Sequence, residues 1–312
     1  MIHPYHNGVA EPRIGHWASP KAQRRFEALY ADVEPELWKT LCDAGWPAPP
    51  IECDVETRSG TTHVFEWPGS GPPIVLLHGA GTSSVMWVPL LATLVGRHVY
   101  AIDTPGQPGR SVQRAPIPDG DALVAWLDDT LDGLRLEHPH LVGASYGGWI
   151  ATNDAQRAPG RAATISLVEP VLTKVGASFF VHGFLVLLAM ATPGALRRRW
   201  LRRLHMEFVV TTDARFRKLA RLGLTRYRPG TPRPVPFTDA DLAAVETPVL
   251  VLLGAKSELH DAKKLAARVQ ACMPNATVEL VPDAGHSLPT DRAEHVGARL
   301  VAFVDAVAPH QL

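Results

Sequence analysis

The chain has 312 residues, 46% of them hydrophobic and 20% charged, which is the composition of an ordinary globular protein. Basic and acidic side chains both number 31, so the net charge gives no reason to expect nucleic acid as a partner. The longest apolar run, 179–191, is shorter than the roughly twenty residues that span a bilayer, so no membrane span is expected. Residues 1–17 contain no signal-peptide core, and the three cysteines form no CxxC pair. We therefore expect a cytoplasmic protein with reduced thiols.

The chain begins with a predicted helix. Apolar residues recur at nearly helical spacing within 20–46, and we assign residues 1–50 to an N-terminal helical extension. The segments 51–57 and 61–67 follow as two predicted strands, and the Ser59-Gly60 pair between them is a hairpin signal.

From residue 73 onward, short β-branched runs alternate with amphipathic helices. The predicted strands are 73–79, 98–103, 140–145, 164–170, 248–254 and 277–282. Strands that are apolar throughout are covered on both faces, and their alternation with helices indicates a parallel sheet. The last two predicted helices are 261–273 and 292–308. The fold class is therefore α/β.

The alternation breaks once, in a long segment without a convincing strand. We interpret 171–241 as an inserted helical cap over the carboxyl ends of the strands, where open α/β sheets bind ligands. Residues 51–170 and 242–312 then form the core. The arginine-rich stretch 196–205 has amphipathic spacing, so we expect a cap helix with a solvated basic face. Phosphate or membrane binding is the alternative for this stretch.

The stretch 140-HLVGASYGGW-149 contains the candidate nucleophile. Ser145 lies between a predicted strand and a predicted helix, and Gly143 and Gly147 stand where a sharp turn leaves no room for a Cβ atom. The next amide, that of Tyr146, lies at a helix N-terminus and faces developing negative charge. We expect Ser145 to be a nucleophile and Tyr146 to supply one oxyanion donor.

A serine nucleophile needs a base, and His286 is the best candidate. It lies in 282-PDAGHSL-288, in the loop after the last predicted strand. His78 competes for this role, but it lies in 77-LHGAG-81, where an oxyanion loop is expected. The amide of Ala80 in that loop is the expected second donor.

As a set, these motifs resemble the α/β-hydrolase superfamily. The resemblance covers about residues 51–308 and rests on the HGAG loop, 103-DTPGQPGRS-111, the GASYGG turn and the DAGH sequence. It implies an eight-stranded, mostly parallel sheet and a catalytic triad in the order serine, acid, histidine. A serine in the turn, in place of aspartate, disfavours haloalkane dehalogenase and epoxide hydrolase chemistry. No cofactor and no metal are expected.

The acid of the triad has three candidates. The resemblance places it three residues past the glycine that ends the seventh strand, and this sequence has Ser257 there. Glu169 is preferred because it directly follows the apolar run 165-ISLV-168 at the end of the sixth strand, an unusual place for a charge without a function. Glu258, one residue from the usual position, is the alternative. Asp261 comes third, and helix starts attract carboxylates such as these without catalytic need.

The predicted function is a serine hydrolase that cleaves a carboxylic ester or thioester through an acyl-enzyme. Phe179, Phe184 and Leu188 of the cap are expected to line the substrate pocket. Two alternatives stay open, because this scaffold hosts many reactions. One is C–C bond hydrolysis, lyase or cyclase chemistry, and the other is a non-catalytic ligand-binding homologue, which Ser257 favours. The expected partner is the small-molecule substrate, and a homodimer also stays open.

Overall fold

The structure, a computed structural model, describes residues 13–176, 181, 183–186, 188–189, 192, 194–203 and 214–307. Phe179, one of the expected pocket residues, lies outside the described residues.

The described chain begins with a two-residue strand and a long helix, β1 (His16–Trp17) and α1 (Pro20–Asp43). Ser19 caps α1, because its side chain accepts a hydrogen bond from the backbone nitrogen of Ala22. The residues of α1 that are buried share one face: Phe26, Tyr30, Val33, Trp38 and Leu41. Helical spacing thus placed α1 correctly, and its apolar face is part of the protein core.

The first half of the core forms the hairpin and the central strands. Its elements are β2 (Ile51–Thr57), β3 (Gly60–Trp67), β4 (Ser70–Leu77), α2 (Val88–Leu91), β5 (Arg97–Ile102), β6 (Val112–Gln113) and α3 (Gly120–Gly133). Gly60 adopts a φ of 127° as it closes the predicted hairpin, a conformation that favours glycine. The side chains of β4 alternate little and are buried from Ile74 to Leu77, because helices cover both faces of the sheet.

The second half follows the same alternation, interrupted once. Its elements are β7 (His140–Ala144), α4 (Tyr146–Arg157), β8 (Thr164–Val168), α5 (Gly194–Arg203), α6 (Ala214–Arg226), β9 (Tyr227–Arg228), α7 (Asp239–Ala243), β10 (Val249–Gly254), α8 (Ala262–Cys272), β11 (Ala276–Val281), α9 (Leu288–Asp291) and α10 (Ala293–Val307). Every residue of β7 and β8 is buried, including the polar His140, Thr164 and Ser166.

Eight strands of the main sheet follow the order β11-β10-β8-β7-β4-β5-β3-β2, and β6 pairs with β3 as a ninth. The strands β11, β10, β8, β7, β4 and β5 are each parallel to their neighbours in this series. The strand β3 is antiparallel to β2, β5 and β6. The prediction of a mostly parallel α/β sheet is confirmed, and the two-residue β6 makes the strand count nine where eight were expected. Sequence periodicity cannot reveal β6, because two residues define no period.

The start of the described chain is joined to the end of the 171–241 segment. In the antiparallel pair β1–β9, His16 lies opposite Arg228 and Trp17 opposite Tyr227. The ring of Trp17 packs on the rings of Tyr227 and Phe26, at centroid distances of 5.0 and 4.5 Å. The first described residues therefore hold β9 against α1.

One charged side chain on α4 is buried without a polar partner. Both carboxylate oxygens of Asp154 are inaccessible, and no described residue hydrogen-bonds to them. Burial, and then the nearby Asp128 carboxylate, raise the pKa of Asp154 to about 7. The folded protein therefore binds this proton more tightly than the unfolded chain, in which the pKa is close to ~4.

This pKa predicts how stability depends on pH. The contribution of Asp154 to the free energy of unfolding should be fully present below about pH 4 and should be lost as the pH rises to about 7. Asp154→Asn cannot ionise, so its stability relative to the native protein should improve between pH 5 and pH 8, as measured by urea unfolding. Asp43→Asn, at an exposed residue of α1, is the control. Parallel stability curves for Asp154→Asn and the native protein would contradict the assignment.

A second prediction concerns how α1 is attached to the sheet. The Trp38 ring packs against Phe65 and Trp67 of β3, at centroid distances of 5.2 and 5.6 Å. Trp38→Ala should lower the free energy of unfolding by about 3–5 kcal/mol, because it leaves a large cavity between helix and sheet. Its neighbour Lys39 forms an exposed ion pair with Asp43, so Lys39→Ala should cost less than about 1 kcal/mol. Equal losses in the two variants would show that α1 does not pack as described.

Candidate active site

The turn between β7 and α4 holds Ser145 in an unusual backbone conformation. Its φ is 52° and its ψ is −109°, values that a residue with a side chain rarely adopts. A Cβ atom on Gly147 would lie 1.9 Å from the carbonyl oxygen of Leu77, and one on Gly143 would lie 2.2 Å from that of Gly147. Glycine is required at both positions because neighbouring backbone atoms leave no room for a Cβ atom. The tight strand–turn–helix geometry expected around Ser145 is present.

Two backbone amides near Ser145 are candidates for binding negative charge. In the loop after β4, the amides of Gly79 and Gly81 donate to Met86 Sδ (3.3 Å) and Gln107 Oε1 (2.8 Å). No described residue accepts a hydrogen bond from the amide of Ala80, which lies between them. Tyr146 begins α4, and the amides of a first helical turn have no acceptor within the helix. Ala80, Tyr146 and Ser145 all line the same cavity.

A buried carboxylate contacts the candidate base. His286 follows β11, and its Nδ1 donates to Glu169 Oε2 at 3.1 Å. Glu169 directly follows β8, has a φ of 53° and is fully buried. It also accepts hydrogen bonds from the amide of Gly254 and the hydroxyl of Ser257, both at 2.5 Å. Three donors compensate the loss of solvent around this carboxylate.

The other two candidate acids have different contacts. Glu258 Oε2 accepts a hydrogen bond from the backbone nitrogen of His286 at 3.1 Å, so it positions the loop that carries the ring. Asp261 caps α8 by accepting from the backbone nitrogen of Lys264 at 3.1 Å. The ring hydrogen bond described above therefore distinguishes Glu169 from both.

Two further residues belong to this group, and sequence reasoning gave them no role. The Ser257 hydroxyl binds the same carboxylate oxygen as the His286 ring. His260 Nε2 lies 3.9 Å from Glu169 Oε1, and burial lowers the pKa of this nearly inaccessible histidine. The signal for Ser257 was present in the sequence, because it stands at the position where the family usually has its acid.

His78, the competing base, is bound on both sides of its ring. Nδ1 donates to the carbonyl oxygen of Gly79 at 2.9 Å, and Nε2 accepts from the backbone nitrogen of Thr104 at 3.0 Å. Burial lowers the pKa of this histidine, which favours the neutral ring. His78 therefore connects the loops after β4 and β5, and it has no nitrogen available to take a proton from Ser145.

A cavity of about 1940 Å³ opens at the carboxyl end of the sheet and includes both Ser145 and His286. Its walls are largely apolar and include Val85, Ile117, Val171, Leu219 and Leu259. Among the described residues, no group of histidine, cysteine, aspartate or glutamate side chains could hold a metal ion.

Of the expected pocket residues, the two that the structure describes do not line this cavity. Phe184 and Leu188 are 66% and 47% exposed, and neither contacts the cavity, whereas Gly183 and Val186 do. The cause is helical geometry: residues 184 and 188 share one face, and residue 183 is turned about 100° away from residue 184. The expectation for Phe184 and Leu188 is therefore wrong in direction. An apolar segment was recognised, but its outer face was taken for its inner one.

Comparison with known proteins agrees with this geometry. The sequence pattern of the alpha/beta hydrolase family matches residues 74–300. The chain belongs to that family. A Bacillus subtilis protein described as an uncharacterized carboxylesterase is 28% identical over 274 residues, which cover 82% of this chain and 88% of that protein. Carboxylesterase YbfK of the same organism is also 28% identical, and the match covers 83% of this chain and 89% of that protein.

A solved structure resembles the whole architecture. The crystal structure of naproxen esterase from Bacillus subtilis matches with a TM-score of 0.76 at 26% identity, and it covers 91% of this chain and 99% of that one. Within the described part of this family member, no helix is both long and apolar enough to cross a membrane.

The crowding around the turn predicts a sharp difference between two glycines. Gly147→Ala should lower the free energy of unfolding by about 3 kcal/mol, because the added methyl group meets a strand carbonyl that cannot move aside. Gly183→Ala adds the same group where no atom lies within 4 Å, so its stability should be unchanged or slightly higher. Urea unfolding of the two variants measures the difference. A fully stable Gly147→Ala protein would contradict this backbone geometry.

Proposed function

We propose that the protein hydrolyses carboxylic esters through a triad of Ser145, His286 and Glu169. The observation that carries the proposal is the hydrogen bond between His286 Nδ1 and a fully buried Glu169, at the cavity that also holds Ser145. The carboxylesterase relatives, which match over most of this chain, support the reaction.

In the proposed mechanism, Ser145 Oγ attacks the acyl carbon while His286 takes the hydroxyl proton. Glu169 holds Nδ1, so Nε2 is the nitrogen that accepts this proton. The amides of Ala80 and Tyr146 stabilise the oxyanion of the tetrahedral intermediate. The ring then returns the proton to the departing alcohol, which leaves an acyl-enzyme. Water adds in the same way, releases the carboxylic acid and regenerates the serine.

The shape and polarity of the cavity guide the proposed substrate class. Its apolar walls suit an ester with an apolar acyl part, and thioesters of the same acids belong to the class to be tested. The chemistry needs no cofactor. A cytoplasmic location, a homodimer and the lack of a nucleic-acid partner stay predictions.

The alternative of a non-catalytic homologue depended on the serine at position 257. With Glu169 bonded to the His286 ring, that serine no longer implies a missing acid, since its hydroxyl supports the carboxylate instead. No contact described above favours C–C bond hydrolysis, lyase or cyclase chemistry over ester hydrolysis.

The nucleophile can be tested with one substitution and one probe. Ser145→Ala should lower kcat on nitrophenyl esters by about a millionfold, as happens when a triad nucleophile is removed. A fluorophosphonate should label the native protein and fail to label this variant. Ser70→Ala, at an exposed serine in β4, is the control and should keep activity and labelling. Substantial esterase activity in a folded Ser145→Ala protein would exclude this serine as nucleophile.

The acid can be tested by comparing two amide variants. Glu169→Gln should lower kcat by as much as ~10⁴, because the ring of His286 loses the carboxylate that fixes its tautomer. Glu258→Gln can still accept a hydrogen bond from the backbone nitrogen of His286, so its kcat should stay within about tenfold of the native value. If Glu258→Gln is the inactive variant instead, the assignment of Glu169 is wrong.

A double substitution tests whether a carboxylate at position 257 can replace that of Glu169. Ser257 reaches the carboxylate of Glu169, so an aspartate at position 257 would place a carboxylate beside the same ring. Glu169→Gln/Ser257→Asp should therefore recover at least about tenfold of the activity that Glu169→Gln loses. Ser257→Asp alone should be impaired, because two buried carboxylates would repel each other. The lack of any recovery in a folded double variant would count against a shared position.

A further inference from the structure

The cap segment has a charge that the whole chain does not have. Although basic and acidic residues balance at 31 each, residues 171–241 contain eleven arginines and two lysines but only four acidic residues. Most of this excess lies in α5 and α6. Concentration of one sign of charge in one segment indicates a surface that meets an anionic partner.

The cap also exposes apolar side chains in an ordered pattern. Val181, Phe184 and Leu188 are spaced three and four residues apart within helical residues, which places them on one face, and all three are exposed. In α5, Leu196 and Trp200 are four residues apart and also exposed, while Leu201 is buried. We call Val181, Phe184, Leu188, Leu196 and Trp200 the outer cap face.

Two basic residues of α5 neighbour its exposed apolar ones, because Arg199 follows Leu196 by three residues and Arg203 follows Trp200 by three. Arg198, Arg199, Arg202 and Arg203 are exposed on the same ten-residue helix that exposes Leu196 and Trp200. A helix with exposed aliphatic and tryptophan side chains next to arginines is typical of segments that lie in the interface of a membrane. The arginines bind anionic headgroups, and the apolar side chains enter the region below them.

We propose that the outer cap face docks the protein reversibly on an anionic lipid surface. Charge complementarity with the arginines selects an anionic surface, and the exposed Phe184, Leu188 and Trp200 select a lipid over a soluble polyanion. A polyanion such as a nucleic acid would neutralise the arginines and leave those apolar side chains in water. Lipid satisfies both halves of the surface at once.

The position of this face relates docking to the cavity. Gly183 and Val186 line the cavity, and Phe184 and Leu188 lie on the outer face of the same short helical segment. This segment therefore separates the cavity from the proposed lipid surface by the thickness of one helix. Supply of apolar esters from the lipid phase to Ser145 follows from that arrangement, and this step alone rests on the proposed function.

The test uses the full chain with Ser145→Ala, so that lipid is not hydrolysed, and vesicles of defined composition. Flotation should show little binding to phosphatidylcholine and strong binding when about 30% of the lipid is phosphatidylglycerol. The bound fraction should fall steeply at about 0.5 M NaCl, which screens the arginines. A lack of flotation with anionic vesicles at low salt would overturn the proposal.

Matched variants separate the two parts of the surface. Arg199→Glu/Arg203→Glu should weaken vesicle binding by at least about tenfold, whereas Lys263→Glu/Lys264→Glu, an equal change of charge on α8, should not. Leu196→Ser should weaken binding severalfold, whereas Ile51→Ser, at a similarly exposed residue of β2, should not. If the apolar substitution has no effect while salt and charge reversal do, the surface binds polyanions generally and the lipid proposal is wrong.

Hydrolysis of a short soluble ester keeps this result distinct from the proposed function. Arg199→Glu/Arg203→Glu and Leu196→Ser in the otherwise native chain should retain kcat/KM on a nitrophenyl acetate within about twofold, because these side chains lie outside the cavity. Failure of vesicle binding with esterase activity intact overturns only the docking proposal. Vesicle binding by a protein without esterase activity overturns only the ester hydrolysis.

Discussion

Two backbone hydrogen bonds tie the turn at Ser145 to the chain that leaves β8. The nitrogen of Ser145 donates to the carbonyl oxygen of Val168 at 3.1 Å, and the nitrogen of Val171 donates to that of Ser145 at 3.2 Å. Ser145 and Glu169 both adopt positive φ, a costly conformation that persists only where surrounding structure enforces it. Because β7 and β8 are parallel neighbours, the same pair of bonds holds serine and glutamate at one edge of the sheet.

This arrangement supports the proposed triad although Ser257 stands at the family's usual acid position after β10. Glu169 is held by its own backbone nitrogen, which donates to Leu252 of β10 at 2.9 Å, and by the side-chain and backbone donors around its carboxylate. Ser257 occupies the vacated position as a donor in place of an acceptor. Glu258 holds the backbone of His286, so the loops after β8, β10 and β11 meet around one carboxylate. The buried carboxylate of Glu169 therefore has hydrogen-bond donors from the loops after β10 and β11.

The sequence predicted the sheet well because continuous burial of parallel strands leaves an apolar run, as in β10 and at the end of β4. It predicted Ser145 and His286 as a pair because their positions follow from strand ends. It could not separate Glu169 from Glu258, since one residue of loop register decides which carboxylate meets a ring and which meets a backbone nitrogen. It also misplaced Phe184 and Leu188. Apolar side chains at helical spacing show that they share one face of a helix, but they do not show whether that face lines a cavity or lies on the outer surface.

The pairing of β1 with β9 has a consequence for how such enzymes can be recombined. The last part of the 171–241 segment is fastened by residues that precede the whole core, through the strand register and the Trp17 ring. If segment 171–241 were replaced by the corresponding segment of a relative and the N-terminal segment were kept, the β1–β9 hydrogen bonds and the packing of Trp17 on Tyr227 would both be lost. Chimeras should therefore exchange the two distant segments as one unit, although more than a hundred residues of core lie between them in the chain.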